Sequence, residues 1–263
     1  MRHDPSPRAL VPPPLSADSA LFLDIDGTLV GISDDPRLAC IDADLAAALP
    51  RLRARLDGAV ALVTGRAIAD ADRIFPGLSL PLAGQHGCER RDALATVHTP
   101  VQRSETILRL RERLATAVAA CPGVRLEDKG LTLAMHYRSA PAFATEIARA
   151  AALALDEIDR DRIYVAERGN MRLELRPRAC DKGCAIAEFM QEPPFAGRRP
   201  VFIGDDDTDE AGFAVVDALS GWSIKVGREA SRAQYRLADI SAVHVWLLAL
   251  IASPVDAGAS TAS

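Results

Sequence analysis

The chain has 263 residues, of which 49% are hydrophobic and 25% charged, so it has the composition of an ordinary globular protein with one large or two modest domains. Its formal net charge of −5 gives no basic footprint for nucleic acid, and we see no apolar run of about eighteen residues that could cross a membrane. Five cysteines without metal-type spacing or a signal peptide are typical of reduced thiols, which favours a cytoplasmic location.

The two ends of the chain are not expected to carry function. Residues 1–19 include the run Pro12-Pro13-Pro14 and lack the apolar core of a secretory signal, so we expect a mobile, Pro-rich arm there. We expect residues 253–263 to form a frayed C-terminal tail.

An apolar strand near the start of the chain ends in a pair of carboxylates. Leu21–Leu23 is followed by Asp24-Ile25-Asp26-Gly27-Thr28, and because strand side chains alternate between faces, the two acids should point the same way. Neighbouring acids repel each other unless a cation lies between them, and an all-oxygen site suits Mg²⁺. A carboxylate held there can attack phosphorus and form an aspartyl-phosphate. The alternative is an acidic turn without chemistry, because short motifs have chance matches.

Two later strands also end in polar residues. Ala59–Val63 leads into Thr64-Gly65-Arg66, where a hydroxyl and backbone N–H groups could hold phosphate oxygens at a helix N-terminus. Val201–Ile203 leads into Gly204 and the acidic run 205–210, which suits a cation. The alternatives are that the threonine only caps a helix, and that the acidic run is a solvated loop in which Asp209 caps the next helix.

A lysine opens a helix between these two strands. Lys182 precedes the helix that we predict from Cys184 to Met190, where its charge could contact a phosphoryl group and offset repulsion among the acids. The alternative is a solvated surface lysine. Because ligands bind outside the carboxyl ends of the strands in an open α/β sheet, we expect all four segments to meet in one crevice.

We therefore predict an α/β fold, with a Rossmann-like doubly wound parallel sheet in a core domain made of residues 20–100 and 178–252. The intervening residues 101–177 predict an inserted α+β domain. Its predicted elements are a helix at 103–120, a hairpin of strands 123–127 and 131–137, a helix at 141–155, and a second hairpin of strands 163–166 and 171–175. We expect it to act as a cap that closes over the core, excludes water and selects the substrate.

The ordered set of Asp24-Ile25-Asp26-Gly27-Thr28, Thr64, Lys182 and the run 204–209 resembles the haloacid dehalogenase superfamily of phosphohydrolases. The resemblance implies that Asp24 is the nucleophile and that Asp26 is the general acid and then the general base. Thr64 and Lys182 would be further catalytic residues. Phosphoryl transfer depends mostly on positioning and charge neutralisation, which these groups can supply.

The same resemblance implies a metal site. Mg²⁺ would be bound by Asp24, the backbone carbonyl of Asp26 and Asp205, with Asp209 in a supporting, water-mediated role.

Further motifs are similar to the trehalose-6-phosphate phosphatase family of bacteria, over a likeness that runs from about Leu21 to Leu247. These motifs are Pro81-Leu82-Ala83-Gly84-Gln85-His86-Gly87, Leu126-Glu127-Asp128-Lys129-Gly130, His136-Tyr137-Arg138, Leu173-Glu174-Leu175-Arg176-Pro177 and the run 204–210. The resemblance implies hydrolysis of trehalose 6-phosphate to trehalose and phosphate, the last step of trehalose biosynthesis. The residues implied to bind this substrate are Asp24, Ile25, Asp26, Gly65, Arg66, Glu127, Lys129 and Glu174.

Of these, Glu127, Lys129 and Glu174 would hydrogen-bond the sugar hydroxyls from the cap. Without the resemblance, a solvated charge at a strand edge is the preferred interpretation of each.

Other functions fit parts of the pattern. A phosphatase for another sugar phosphate, such as sucrose 6-phosphate or a mannosyl-glycerate phosphate, would share the core chemistry and differ in the cap. A silent carbohydrate-binding or regulatory module would be expected to have lost Asp24, Asp26 or Lys182, all of which are present. A phosphomutase has a similar acidic pair but must protect its phosphoryl group from water. The expected partner is a sugar phosphate, with no nucleic acid or membrane, and the sequence indicates no protein partner.

Overall fold

The computed structural model describes residues 11–33 and 38–252. Its strands are β1 (Ser19–Leu23), β2 (Val60–Val63), β3 (Leu82–Gly84), β4 (Glu89–Arg91), β5 (Val97–His98), β6 (Arg125–Asp128), β7 (Leu133–His136), β8 (Tyr164–Gly169), β9 (Arg172–Pro177), β10 (Arg199–Gly204), β11 (Trp222–Val226) and β12 (Tyr235–Leu237). Its α-helices are α1 (Ala43–Arg55), α2 (Ile68–Ile74), α3 (Glu105–Ala119), α4 (Ala144–Ile158), α5 (Lys182–Phe189), α6 (Glu210–Ala218) and α7 (Ile240–Ala252). The first ten residues of the predicted arm and the whole predicted tail lie outside the described residues.

The larger sheet has eight strands within the described residues, in the order β12-β11-β10-β1-β2-β3-β4-β5. Neighbouring strands run parallel from β12 to β3, whereas β4 and β5 add an antiparallel edge. This arrangement confirms the predicted α/β fold with a parallel central sheet. The patterns above do not predict the outer strands β3, β4, β5, β11 and β12.

A large hydrophobic cluster packs around this sheet. Every residue of β1 is buried, as expected for a parallel strand that is covered on both faces. Phe22 of β1 contacts Phe189 and Phe195, with ring centroids 5.9 and 5.4 Å away. Leu15 belongs to the same cluster and is 6% exposed, so the expectation of a mobile arm up to residue 19 does not hold from Leu15 onward.

The segment between β5 and α5 forms a second sheet, and we call residues 101–177 the insert. Its strands lie in the antiparallel order β6-β7-β9-β8, so both predicted hairpins are present. α3 and α4 pack their buried apolar residues against this sheet in a hydrophobic cluster that is separate from the larger one. The predicted helix at 141–155 starts later than expected, because Pro141–Phe143 forms a 3₁₀ turn and α4 begins at Ala144.

In the part of the chain that the structure describes, no helix combines the length and the apolar character that a bilayer crossing requires.

Candidate active site

Three neighbouring strands of the larger sheet end in the residues that the sequence singled out. β1 lies between β10 and β2, and the backbone N–H of Asp24 donates to the carbonyl of Ile203 on β10 at 3.0 Å. Asp24, Thr64 and Asp205 therefore follow adjacent strands, and all three line one cavity of about 350 Å³ together with Lys182. The predicted convergence of the four segments is confirmed, and the cavity volume is in the usual range for a small-molecule site.

Lys182 holds two of the acids together. Its Nζ lies 2.7 Å from Asp24 Oδ1 and 2.6 Å from Asp209 Oδ1, and the lysine is 2% exposed. Burial alone would lower the pKa of Lys182, but Asp209 and Asp24 raise it above its usual value, so the lysine is a permanent cation. The interpretation as a solvated surface lysine is wrong.

The acid cluster contains an unsatisfied carboxylate oxygen. Carboxylate oxygens of Asp24, Asp205 and Asp209 all lie within 4.8 Å of one another. Among the described residues, no donor reaches the buried Oδ1 of Asp205. Burial and the neighbouring acids raise the pKa of Asp205 to about 9 and that of Asp24 to about 7. An oxygen-only cluster with an orphaned acceptor fits a divalent cation, which would balance this charge.

A glycine makes this close arrangement feasible. A Cβ added at Gly27 would lie 2.0 Å from Asp205 Oδ2, and Gly27 has φ +85°, a conformation that favours glycine. The glycine of the Asp24–Thr28 motif is therefore needed because the carboxylate of Asp205 packs directly on its backbone.

Asp26 points to a different partner. Arg66 Nε donates to Asp26 Oδ2 at 2.6 Å and its Nη2 to Oδ1 at 2.5 Å, which is a bidentate ion pair. The carboxylate of Asp26 is thus bound to the segment after β2 and does not belong to the three-acid cluster. A metal contact through the backbone carbonyl of Asp26 stays a prediction.

Thr64 is not a helix cap. α2 begins at Ile68 with Ala67 at its N-cap, and the Oγ1 of Thr64 instead accepts from the backbone N–H of Arg66 at 3.2 Å. Asp209 makes no side-chain cap for α6 either, because its carboxylate accepts from Lys182 and from the backbone N–H of Asp206. Asp209 nevertheless occupies the N-cap position of α6, and its bond to Asp206 is half of a capping box at the 3₁₀ turn Asp207–Asp209. Only the capping interpretation of Thr64 is therefore wrong.

One face of the insert sheet is polar and faces this crevice. Glu127 and Lys129, which the sequence singled out, line the cavity. The insert also contributes charged or titratable residues that the sequence reasoning assigned no role, namely Arg125, His136, Arg138 and Arg172. His136 Nε2 lies 2.6 Å from Glu127 Oε2 and so fixes the orientation of that carboxylate. Burial alone would raise the pKa of Glu127, but His136 and Lys129 lower it.

A period-two pattern could have revealed most of these residues. Arg125 and Glu127 are two positions apart on β6 and so lie on the same face. His136 on β7 pairs with Arg125, and Arg172 on β9 pairs with His136. Side chains of paired strand residues lie on one face, so these groups had to share the surface opposite the apolar helices.

Two predicted substrate ligands are placed differently from expectation. The side chain of Ile25 is fully buried in the large hydrophobic cluster. Glu174 is 2% exposed and, behind the cavity, contacts His86, Lys129 and Thr132. Burial alone would raise the pKa of Glu174, but Lys129 and His86 hold it well below its usual range. A direct contact of either side chain with a substrate stays a prediction.

Known proteins are similar to this chain in both sequence and fold. Residues 22–241 match the family model described as trehalose-phosphatase. The chain belongs to the trehalose-phosphatase family. It is a phosphoric monoester hydrolase with a haloacid dehalogenase-type fold.

Individual relatives cover most of the chain. The trehalose-6-phosphate phosphatase of Escherichia coli K12 is 42% identical over 237 residues, covering 89% of this chain and 87% of that protein. A probable trehalose-phosphate phosphatase of Sinorhizobium fredii is 44% identical over 208 residues, covering 79% of this chain and 77% of that protein. The C-terminal domain of Candida albicans trehalose-6-phosphate phosphatase superposes with a TM-score of 0.81 over 89% of this chain and 92% of that chain. Its sequence identity of 20% makes it a likeness of fold alone.

Proposed function

We propose that this enzyme hydrolyses trehalose 6-phosphate to trehalose and phosphate through an aspartyl-phosphate on Asp24. The observation that carries the chemistry is the buried contact of Lys182 with both Asp24 and Asp209, beside the orphaned oxygen of Asp205. The family match and the relatives of more than 40% identity support the substrate.

Asp24 is the proposed nucleophile. Lys182 holds one of its carboxylate oxygens, and the hydroxyl of Thr28 donates to the other at 3.3 Å. These bonds fix the carboxylate at the end of a rigid strand, which reduces the reorganisation needed for attack on phosphorus. The charge of Lys182 also stabilises the negative charge that spreads over the phosphoryl oxygens.

We propose that Asp26 protonates the leaving sugar oxygen and then takes a proton from the attacking water. In the structure both of its oxygens accept hydrogen bonds from Arg66. The ion pair with Arg66 disfavours a proton on Asp26, so we expect the substrate phosphate to draw Arg66 away during the reaction. Thr64 and Gly65 directly precede this arginine, and we propose that they contact the substrate phosphate from the same loop.

We propose Mg²⁺ as the cofactor, because an all-oxygen donor set with several carboxylates is the type that Mg²⁺ prefers. Asp24 and Asp205 would hold it, together with the carbonyl of Asp26, and Asp209 would act through water. When bound, the cation supplies Lewis-acid polarisation of the phosphoryl group and balances the charge of the acids.

The insert is the proposed cap, with the domain division at residues 101 and 177. Glu127 and Lys129 line the cavity from the insert, opposite Asp24 on the core. Charged groups make strong hydrogen bonds to sugar hydroxyls, so this face would select the sugar. A cytoplasmic location is proposed on the five cysteines, which are all free thiols.

The test is phosphate release from a panel of trehalose 6-phosphate, sucrose 6-phosphate, glucose 6-phosphate and a mannosyl-glycerate phosphate, each with and without Mg²⁺. We expect kcat/KM for trehalose 6-phosphate to exceed the others by at least about tenfold, and only with Mg²⁺. Faster release from another sugar phosphate would assign the enzyme to that substrate instead.

A further inference from the structure

A strained corner follows β3 on the core side of the crevice. Gln85 and His86 have φ values of +47° and +58°, and Gly87 follows with φ +95°. Consecutive left-handed residues other than glycine are uncommon and persist where surrounding contacts fix them. Gln85 and His86 are 3% and 1% exposed and lie outside the proposed chemistry, so the contacts that hold them indicate what the corner does.

Gln85 binds the turn between β6 and β7 of the insert. Its Oε1 accepts from the backbone N–H groups of Leu131 at 3.3 Å and Thr132 at 3.1 Å, and from the Thr132 hydroxyl at 3.2 Å. Its Nε2 donates to Glu89 Oε1 at 3.1 Å, which fixes the orientation of the amide. The backbone N–H groups of Leu131 and Thr132 in this insert turn are therefore satisfied by a side chain of the core.

His86 binds the insert at a second point. Its Nε2 lies 3.1 Å from Glu174 Oε2 on β9, and its ring packs so closely on Gly65 that a Cβ there would lie 2.6 Å from Nε2. Lys129 Nζ donates to the other oxygen of Glu174 and to the carbonyl of Gly65, both at 2.8 Å. The loop that carries the proposed phosphate contacts is thus bonded directly to the insert.

We infer that Gln85 and His86 are positioning residues that dock the β6–β7 hairpin of the insert on the core, so that Glu127 and Lys129 stand over the nucleophile. Glu174 is the insert's side of this contact: its carboxylate joins His86, Lys129 and the Thr132 hydroxyl behind the cavity. The docking itself needs no substrate. Its consequence for specificity rests on the proposed function.

The first experiment measures docking by amide hydrogen exchange in the intact, substrate-free protein. Gln85→Met keeps the size of the side chain and removes the acceptor, so exchange at Leu131 and Thr132 should become at least about tenfold faster. Amides inside the β7–β9 ladder should not change. Ser104→Ala is the matched control, because it removes the α3 N-cap inside the insert without touching the corner. Unchanged exchange at Leu131 and Thr132 would overturn the proposal.

Two further variants approach the contact differently. Thr132→Val removes the hydroxyl that lies 3.2 Å from both Gln85 Oε1 and Glu174 Oε1 while keeping the shape, and should also speed exchange at Leu131. His86→Asn retains a residue that tolerates the left-handed conformation and removes the contact to Glu174. If Gln85→Met does not fold, these two decide the question, and normal exchange in both contradicts docking.

The kinetic arm separates positioning from general destabilisation. The docking variants should lower kcat/KM for trehalose 6-phosphate by about tenfold and change that for p-nitrophenyl phosphate less than about twofold, whereas Ser104→Ala should change neither. Equal losses on both substrates would overturn the positioning role. A wild-type enzyme inactive on trehalose 6-phosphate would refute the proposed function, and the exchange arm would still decide docking.

Discussion

The carboxylate of Asp24 sits at the end of a fully buried strand, where its surroundings are set before any substrate arrives. Lys182 and Thr28 each bond one of its oxygens, and the aromatic packing of Phe22 lies behind it in the same strand. An acid held by such contacts can be exchanged for its amide without a change in volume, which makes its chemical role separable from its structural one.

Asp24→Asn should preserve the fold and lower kcat by about 10³-fold or more, because an amide oxygen is a poor nucleophile for phosphorus. The measurement is phosphate release alongside a circular dichroism melting curve. Asp44→Asn on the exposed face of α1 is the control and should keep full activity. Substantial turnover by the Asp24 variant would remove the nucleophile assignment.

Gly27→Ala should disrupt the acid cluster from the backbone side. The new Cβ would meet Asp205 Oδ2 in a left-handed conformation, so we expect a loss of about 1–3 kcal/mol in the free energy of unfolding and a large loss of activity. Gly31→Ala is the matched control, because nothing lies within 4 Å of its added Cβ. Equal effects of the two substitutions on urea unfolding and phosphate release would contradict the close packing.

The burial of His86 leads us to predict that the stability of the protein depends on pH. Burial lowers its pKa below 6.5 despite Glu174, so the unfolded chain binds more protons than the folded one just below that pH. The folded state therefore loses stability as the pH falls through 6.5. Between pH 7.5 and 5.5, wild type should lose more unfolding free energy than His86→Asn, as measured in urea. Parallel losses in the two proteins would show that His86 does not titrate in this way.

At the scale of elements, the β6–β7 hairpin has two kinds of charged residue. Lys129 bonds the core through Gly65, whereas Glu127 contacts His136 within the insert. Substitution of Lys129 should therefore affect both the proposed docking and the proposed sugar contact, so Glu127 is the cleaner probe of specificity.

Glu127→Ala should lower kcat/KM for trehalose 6-phosphate by roughly tenfold or more, about 1.4 kcal/mol, because a charged partner of the sugar hydroxyls is lost. Hydrolysis of p-nitrophenyl phosphate, which lacks the sugar, should change little. Glu157→Ala on α4 offers an exposed control in the same domain. A parallel loss on both substrates would assign Glu127 to support of the core site.

The predictable elements are those whose signal is local. Apolar runs that end in polar residues predict β1, β2 and β10, and helical spacing predicts α3. Glu89–Arg91 forms β4 although it is entirely charged, because it pairs with β3 on one side and with β5 on the other, near the edge of the sheet. Such a strand has no periodic apolar pattern to detect.

Contacts made across the chain could not be predicted. Arg66 lies 40 positions from Asp26, and His86 lies 88 positions from Glu174. A glutamate in a strand is predicted to be solvated unless its partners are known. The burial of Glu174 depends on the packing of the insert against the core, which no local pattern indicates. The residue types of the site were thus recoverable, but their pairing was not.

For the whole molecule, the acid cluster should link metal binding to stability. A cation that binds only the folded state stabilises it, by about 2.7 kcal/mol when the free cation concentration is one hundred times Kd. The melting temperature therefore rises with the cation concentration. Excess chelator should stop turnover and Mg²⁺ should restore it. The melting temperature should rise with Mg²⁺ in wild type and not in Asp205→Ala. A wild-type melting temperature independent of Mg²⁺, with full activity in chelator, would exclude the metal site.

The return of the chain from the insert has a consequence for protein engineering. β9 ends at Pro177 and α5 begins with Lys182, the proposed catalytic lysine. The connection is held by bonds from Arg176 to the carbonyl of Cys180 and from the Cys180 N–H to the carbonyl of Pro177. A chimaera that exchanges the insert, the proposed sugar-selecting cap, for one from another phosphatase should therefore place its downstream junction before Arg176. A junction within residues 176–181 would misalign Lys182, on which the proposed chemistry depends.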